Sequence, residues 1–324
     1  MSAPISWQFQ VVPVATGEVT VRLSPSGFSS VDPVPVFVND RPRAVLIHGL
    51  GGSSLNWIEL MGEMDGDLAM IALDLPGFGF SPPPRDGDYH PRGHANAVIA
   101  LLDHLNGQGI EGHLTLPSAD QRFHVFGNSL GGNVAVHVAA LRPDLVASLT
   151  LLSPALPSQR IRRGAAHMPL IAIPGIGERI VSRYLKLPVE QRVNDTVKSV
   201  YARPERMTDE RRSLIADEVG RRDGLPHVTD ATLSSLRGLI ATFVDPRSGR
   251  VWRMAEGITC PTLAVYGQRD QLVDAKAAHR ITRHFADSHV VVLPDSGHVA
   301  MMEHPTEVAD AWRRFIGHTK EVAP

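Results

Sequence analysis

Ser129 sits between glycines in "FHVFGNSLGGNVAVHVAALRP", residues 123–143, where Gly127 to Gly131 fit the pattern G-x-S-x-G. A serine hydroxyl is a weak nucleophile at neutral pH. To attack, it needs a base that takes its proton and a carboxylate that orients the base. The tetrahedral intermediate also needs donors aimed at its oxyanion. His298, in "LPDSGHVAMMEHP", follows an apolar run and a glycine, which separates it from the rest of the 15 histidines. Asp270, in "VYGQRDQLVD", also stands just past an apolar run. Asp274 competes for the same role, but it precedes "AKAAHRI" as a helix N-cap would. Asp295 is a third carboxylate, too close in sequence to His298 to orient it. The chemistry on offer is acyl transfer, with Ser129 as nucleophile, His298 as base and Asp270 as orienting acid.

A fourth stretch, "IHGLGGSS" at 47–54, brings glycines that let backbone N–H groups approach a ligand. The N–H of Leu50 and that of Leu130, just after the serine, are the candidate oxyanion donors. Gly49, Asn128 and Val299 adjoin these positions and are candidate substrate contacts. The glycines lack the Lys-Ser/Thr ending of a phosphate loop and the spacing of a dinucleotide loop. No His/Cys cluster has metal-ligand spacing, and the chemistry calls for no metal or organic cofactor. Cys260, the one cysteine, precedes Pro261 and reads as a small buried residue at a strand entrance.

These residues need elements to carry them. Apolar runs at 43–49, 68–74, 123–127, 147–153, 261–267 and 289–295 predict strands buried on both faces. Residues 6–14 and 18–23 predict an opening pair, joined near Thr16-Gly17. Helical spacing marks 92–106, 129–142, 275–285 and 305–316. The alternation predicts an α/β fold with a mostly parallel sheet, and every candidate residue falls at a strand end. The connection at 107–121 is longer than such loops usually are.

The run 154–257 differs. It has helical patterns and no clear strand, with 18 Lys and Arg against 12 Asp and Glu, a charge of +6. The rest of the chain carries −8, which restores the overall −2. Such a shift suggests an inserted helical cap between core segments 1–153 and 258–324, its charge spread over solvated helix faces. Within it, "MPLIAIPGIG" at 168–177 is the most apolar segment, either walling an acyl pocket or packing the cap. Met301 and Met302 read as packing residues at the edge of the site. A net charge of −2 means that no global field draws the chain to nucleic acid or to anionic lipid. The first 21 residues lack Lys and Arg, so no secretion signal is expected, and no apolar run is long enough to span a bilayer. Together with one cysteine, this points to a cytoplasmic protein.

The segments "HGLGGS", "DLPGFGFS", "GNSLGG", "YGQRDQLV" and "GHVAMMEHP", in this order, resemble the α/β-hydrolase superfamily over nearly the whole chain beyond about residue 40. The resemblance implies an eight-stranded, mostly parallel sheet with helices on both faces and a helical cap after the sixth strand. It also implies Ser129, Asp270 and His298 as a triad, with Leu50 and Leu130 at the oxyanion hole. Serine at the nucleophile position sets aside haloalkane dehalogenases and epoxide hydrolases, which use aspartate there. Leu130 sets aside proline iminopeptidases, which usually have tryptophan. Asn128-Ser129 is similar to the C–C hydrolases of aromatic meta-cleavage pathways, yet Val299 stands where those enzymes have tryptophan. "GHVAMMEHP" looks more like carboxylesterases and monoacylglycerol-type lipases. The resulting expectation is a serine hydrolase acting on a small apolar ester. The alternatives are a C–C hydrolase and a catalytically silent ligand-binding protein.

Overall fold

The computed structural model describes residues 8–28, 37, 40–107, 122–158, 162–244 and 249–322. All eight expected strands are present. β1 (Gln8–Val14) and β2 (Gly17–Leu23) form an antiparallel hairpin. β3 (Arg43–Ile47), β4 (Ala69–Leu73), β5 (Phe123–Asn128), β6 (Val146–Leu152), β7 (Thr262–Gly267) and β8 (Ser288–Leu293) run parallel. The sheet order is β1-β2-β4-β3-β5-β6-β7-β8, so β3 and β5 lie at its centre. β4 is buried throughout, which explains its unbroken apolar sequence. β8 is at the edge, and none of its residues is fully buried.

Helices cover both faces. α1 (Ile58–Met64) packs on one side, and α2 (Pro91–Gly107) and α3 (Leu130–Leu141) on the other. Among the described residues, six α-helices lie between β6 and β7: α4 (Met168–Ile171), α5 (Ile176–Tyr184), α6 (Val189–Val200), α7 (Asp209–Arg222), α8 (Val228–Val244) and α9 (Gly249–Glu256). Among the described residues this insertion contains no strand. The helix expected at 275–285 opens instead with a 3-10 turn, Ala275–Ala277, capped by Asp274, before α10 (Ala278–His284). α11 (Ala300–Glu303) and α12 (Pro305–Val322) close the chain on the α1 side, α12 running past the expected end at 316. The long connection lies outside the described residues from 108 onward. Cys260 is partly buried, and burial pushes its thiol up to about 12, which fits a packing role. No helix among the described residues is long and apolar enough to cross a membrane.

The insertion is tied to the core through buried polar groups. His94 of α2 is fully buried and its Nε2 lies 3.0 Å from the Ser235 hydroxyl of α8. Burial depresses its pKa to about 3, and that of buried His48 to about 4. Both are therefore neutral in the fold and take up protons in the unfolded chain below about pH 6.5. The unfolded state then binds more protons, so stability present above that pH is lost as pH falls towards the folded values. Chemical denaturation at stepped pH should show a steeper loss between pH 6.5 and 4 in the native protein than in His94→Gln. The expected difference in slope is about 1.4 kcal/mol per pH unit. Parallel slopes would mean that His94 is not held neutral.

Candidate active site

Ser129 joins β5 to α3 with φ 55° and ψ −118°, a conformation that a residue with a side chain rarely adopts. Neighbouring groups hold it there. Its N–H donates to the Leu152 carbonyl at 3.1 Å, and its own carbonyl accepts from Gly132, Asn133 and Ala155. Glycine is required on either side because the chain passes too close for a side chain. A Cβ at Gly127 would lie 2.4 Å from the Gly131 carbonyl oxygen, and one at Gly131 would lie 2.1 Å from that of Ile47. The turn presents Ser129 to a cavity of about 380 Å³.

His298 lines the same cavity. Its Nδ1 lies 2.8 Å from Asp270 Oδ2, and Asp270 is fully buried. The other carboxylate oxygen accepts the N–H groups of Leu272 at 2.7 Å and Val273 at 3.0 Å. Burial alone would raise the Asp270 pKa. The His298 charge and hydrogen bond, with these two amides, outweigh it, so the carboxyl lies below its usual range. An ionised Asp270 accepts from Nδ1–H and leaves Nε2 as the basic nitrogen. The competing carboxylates are occupied elsewhere. Asp274 caps the 3-10 turn, and Asp295 pairs with Arg203, Arg206 and Arg269.

The loop after β3 lies against the serine, since a Cβ at Gly49 would be 3.0 Å from the Ser129 Cβ. Among the described residues, neither the Leu50 N–H nor the Leu130 N–H has an acceptor. The Gly49 carbonyl, which shares a peptide with the Leu50 N–H, accepts from Gly52 N–H at 3.1 Å and from His48 Nδ1 at 2.7 Å. His48 Nε2 accepts the Leu75 N–H, which fixes the proton on Nδ1. Hydrogen bonds to a peptide carbonyl polarise the peptide and strengthen its N–H as a donor. The pair Leu50 and Leu130 is thus suited chemically to receive developing negative charge.

The insertion grips this apparatus. Ser53 donates to the buried Glu218 of α7, and Arg222 of the same helix donates to the carbonyls of Gly52 at 3.3 Å and Gly51 at 3.4 Å. The His298 N–H donates to the Val200 carbonyl at the end of α6, at 2.7 Å. Glu303 accepts the N–H groups of Gly297, Ala202 and Arg203, fastening the histidine loop to the segment after α6. Arg162 donates to the Asp270 carbonyl. Val193, Val197, Ile215, Val219 and Met302 give the cavity apolar walls.

A family profile described as alpha/beta hydrolase fold matches residues 42–305. The chain belongs to this family. It is 29% identical over 280 residues to the dihydrolipoyllysine-residue acetyltransferase component of an acetoin cleaving system from Pseudomonas putida. That match covers 84% of this chain and spans 62% of the relative's length. Lipase 1 of Psychrobacter immobilis is 26% identical over 273 residues, covering 84% of this chain and 75% of that protein. The 2-hydroxy-6-oxo-6-(2'-aminophenyl)hexa-2,4-dienoic acid hydrolase of Metapseudomonas resinovorans is 27% identical over 281 residues, covering 86% and 85%.

Several roles at this site were not visible from local patterns. Asn128 lines the cavity, but its amide donates to the carbonyls of Leu152 and His298, both at 3.0 Å, so its donors hold the main chain rather than a ligand. Gly49 and Val299 also line the cavity, whereas Met301 is core and Met302 faces the space. The expectation of solvated basic helix faces holds only in part, because Arg192 and Arg211 are buried, on Asp223 and Glu59 respectively. Glu218 and Arg222 carried no motif, and Glu303 was marked only by its place in "GHVAMMEHP", five residues after the histidine.

The strained turn has a measurable consequence. Ser129→Gly relieves a backbone strain of about 1–3 kcal/mol that Ser129→Ala retains, and glycine's unfolded-state entropy offsets part of that gain. Denaturant melts should place Ser129→Gly above Ser129→Ala by about 1 kcal/mol. A Gly variant less stable than the Ala variant would show that the turn is not strained.

Proposed function

We propose that the hydrolase cleaves carboxylic esters through an acyl-enzyme formed on Ser129. The observation that carries this reading is the buried His298–Asp270 hydrogen bond at the cavity that also contains Ser129. His298 Nε2 takes the hydroxyl proton as Ser129 attacks the acyl carbonyl. Asp270 stays ionised and fixes the imidazole tautomer. The Leu50 and Leu130 N–H groups hold the oxyanion. His298 then protonates the leaving alcohol, and a water that it deprotonates cleaves the acyl-enzyme. Residues 154–257 act as the cap, and their apolar side chains receive the acyl group.

The resemblance to a meta-cleavage hydrolase supports a second reading, C–C cleavage of a dienoate, through the same three residues. The occupied amide of Asn128 favours the ester reading, because the donors of the asparagine in the shared Asn128-Ser129 pair are committed to the main chain.

p-Nitrophenyl esters of increasing acyl length should show kcat/KM rising roughly fourfold per methylene until the cavity is filled. Ser129→Ala should lower kcat by about a million-fold, and Asp270→Asn by about ten-thousand-fold. Fluorophosphonate labelling should vanish in Ser129→Ala. Turnover of a meta-cleavage dienoate with negligible ester cleavage would replace the first reading by the second. Absence of labelling in the native protein would leave only a ligand-binding scaffold.

A further inference from the structure

The apolar segment 168–177 meets its two sequence expectations only in part. Met168 lines the cavity, and Gly177 is buried against Leu233 of α8. Leu170, Ile173 and Ile176 instead face outward, 50%, 45% and 38% exposed, and Tyr184 at the end of α5 is 37% exposed. Four of the ten exposed large hydrophobic residues among the described residues thus fall within one short stretch, in α4, α5 and the turn between them. A cluster of this kind on a folded surface marks a site of contact.

Its surroundings say with what. Arg163, Arg179, Arg183 and Lys186 are exposed on the same stretch, and none has an ion-pair partner among the described residues. The one acid there, Glu178, is engaged by Arg237 and the Gly175 N–H. A balanced whole-chain charge hides this local excess of cations. A second copy is a poor occupant, because a two-fold interface would set these cations against their own images. An apolar tip among unpaired cations matches the surface of an anionic bilayer, where aliphatic side chains enter the acyl boundary and cations meet phosphate groups.

We propose that α4 and α5 dock the protein on anionic lipid surfaces. Met168, Val181, Tyr184 and Leu185, from the same two helices and the residue after them, line the cavity that holds Ser129. Docking therefore sets the cavity wall beside the lipid, and on the ester reading above it delivers an apolar ester from the surface without passage through water.

The test is co-sedimentation of the full chain, as Ser129→Ala to prevent turnover, with phosphatidylcholine vesicles with or without phosphatidylglycerol. Binding is expected to the anionic vesicles, to weaken with salt, and to be much lower on phosphatidylcholine alone. In that background Arg179→Gln with Arg183→Gln should weaken partitioning about 25-fold, at roughly fivefold per cation. Ile173→Asp should abolish it. In the Ser129 protein both sets of changes should leave hydrolysis of a water-soluble short-chain ester unchanged, which shows that the fold is intact. Lack of sedimentation at low salt would overturn the proposal. So would undiminished binding by Ile173→Asp, or a dimer in light scattering that Ile173→Asp dissolves. Sedimentation by a protein that cleaves no ester would support docking and overturn the catalytic reading instead.

Discussion

The turn at Ser129 depends on a backbone conformation that serine disfavours, imposed by hydrogen bonds on both sides of the residue. The Leu152 carbonyl holds its N–H, while Gly132, Asn133 and Ala155 donate to its carbonyl. These partners come from β6, α3 and the chain entering the insertion, so the turn exists only when three parts of the fold are assembled. The close approach of Gly131 to the Ile47 carbonyl adds β3 to that set. Central position in the sheet gives the serine this support, because β5 has strands on both sides and a helix start directly above its end.

Burial shapes the electrostatics around the turn in two opposite ways. At Asp270 the cost of burying a carboxylate is outweighed by the imidazole and two amides, so the charged form persists. At His48 nothing comparable favours the charge, and the ring is kept neutral with a fixed tautomer. One residue thus supplies a permanent negative charge to an imidazole, and the other supplies a permanent N–H to a peptide carbonyl.

The insertion is joined to these groups rather than resting above them. Glu218 and Arg222 hold the loop containing Leu50, and the segment after α6 shares the Glu303 carboxylate with the histidine loop. Displacement of α6 or α7 would therefore disturb the site itself. The outer helices α4 and α5 present a different surface, apolar and basic, and also contribute Met168, Val181 and Tyr184 to the cavity lining.

Much of this was legible before any coordinates. Strands buried on both faces leave continuous apolar runs, and a tight turn before a helix leaves glycines around its central residue, so the sheet, Ser129, Asp270 and His298 could be read from local signals. The choice of Asp270 over Asp274 also rested on a local signal, the capping pattern, and Asp274 does cap its turn. What the sequence could not decide was which partner each polar group would meet across long chain separations. Asn128 had the look of a ligand contact but serves two carbonyls, one of them 170 residues away. Segment 168–177 had the composition of an interior wall, yet Leu170, Ile173 and Ile176 point outward, because composition fixes how apolar a segment is and only the packing of neighbouring helices decides which side is covered.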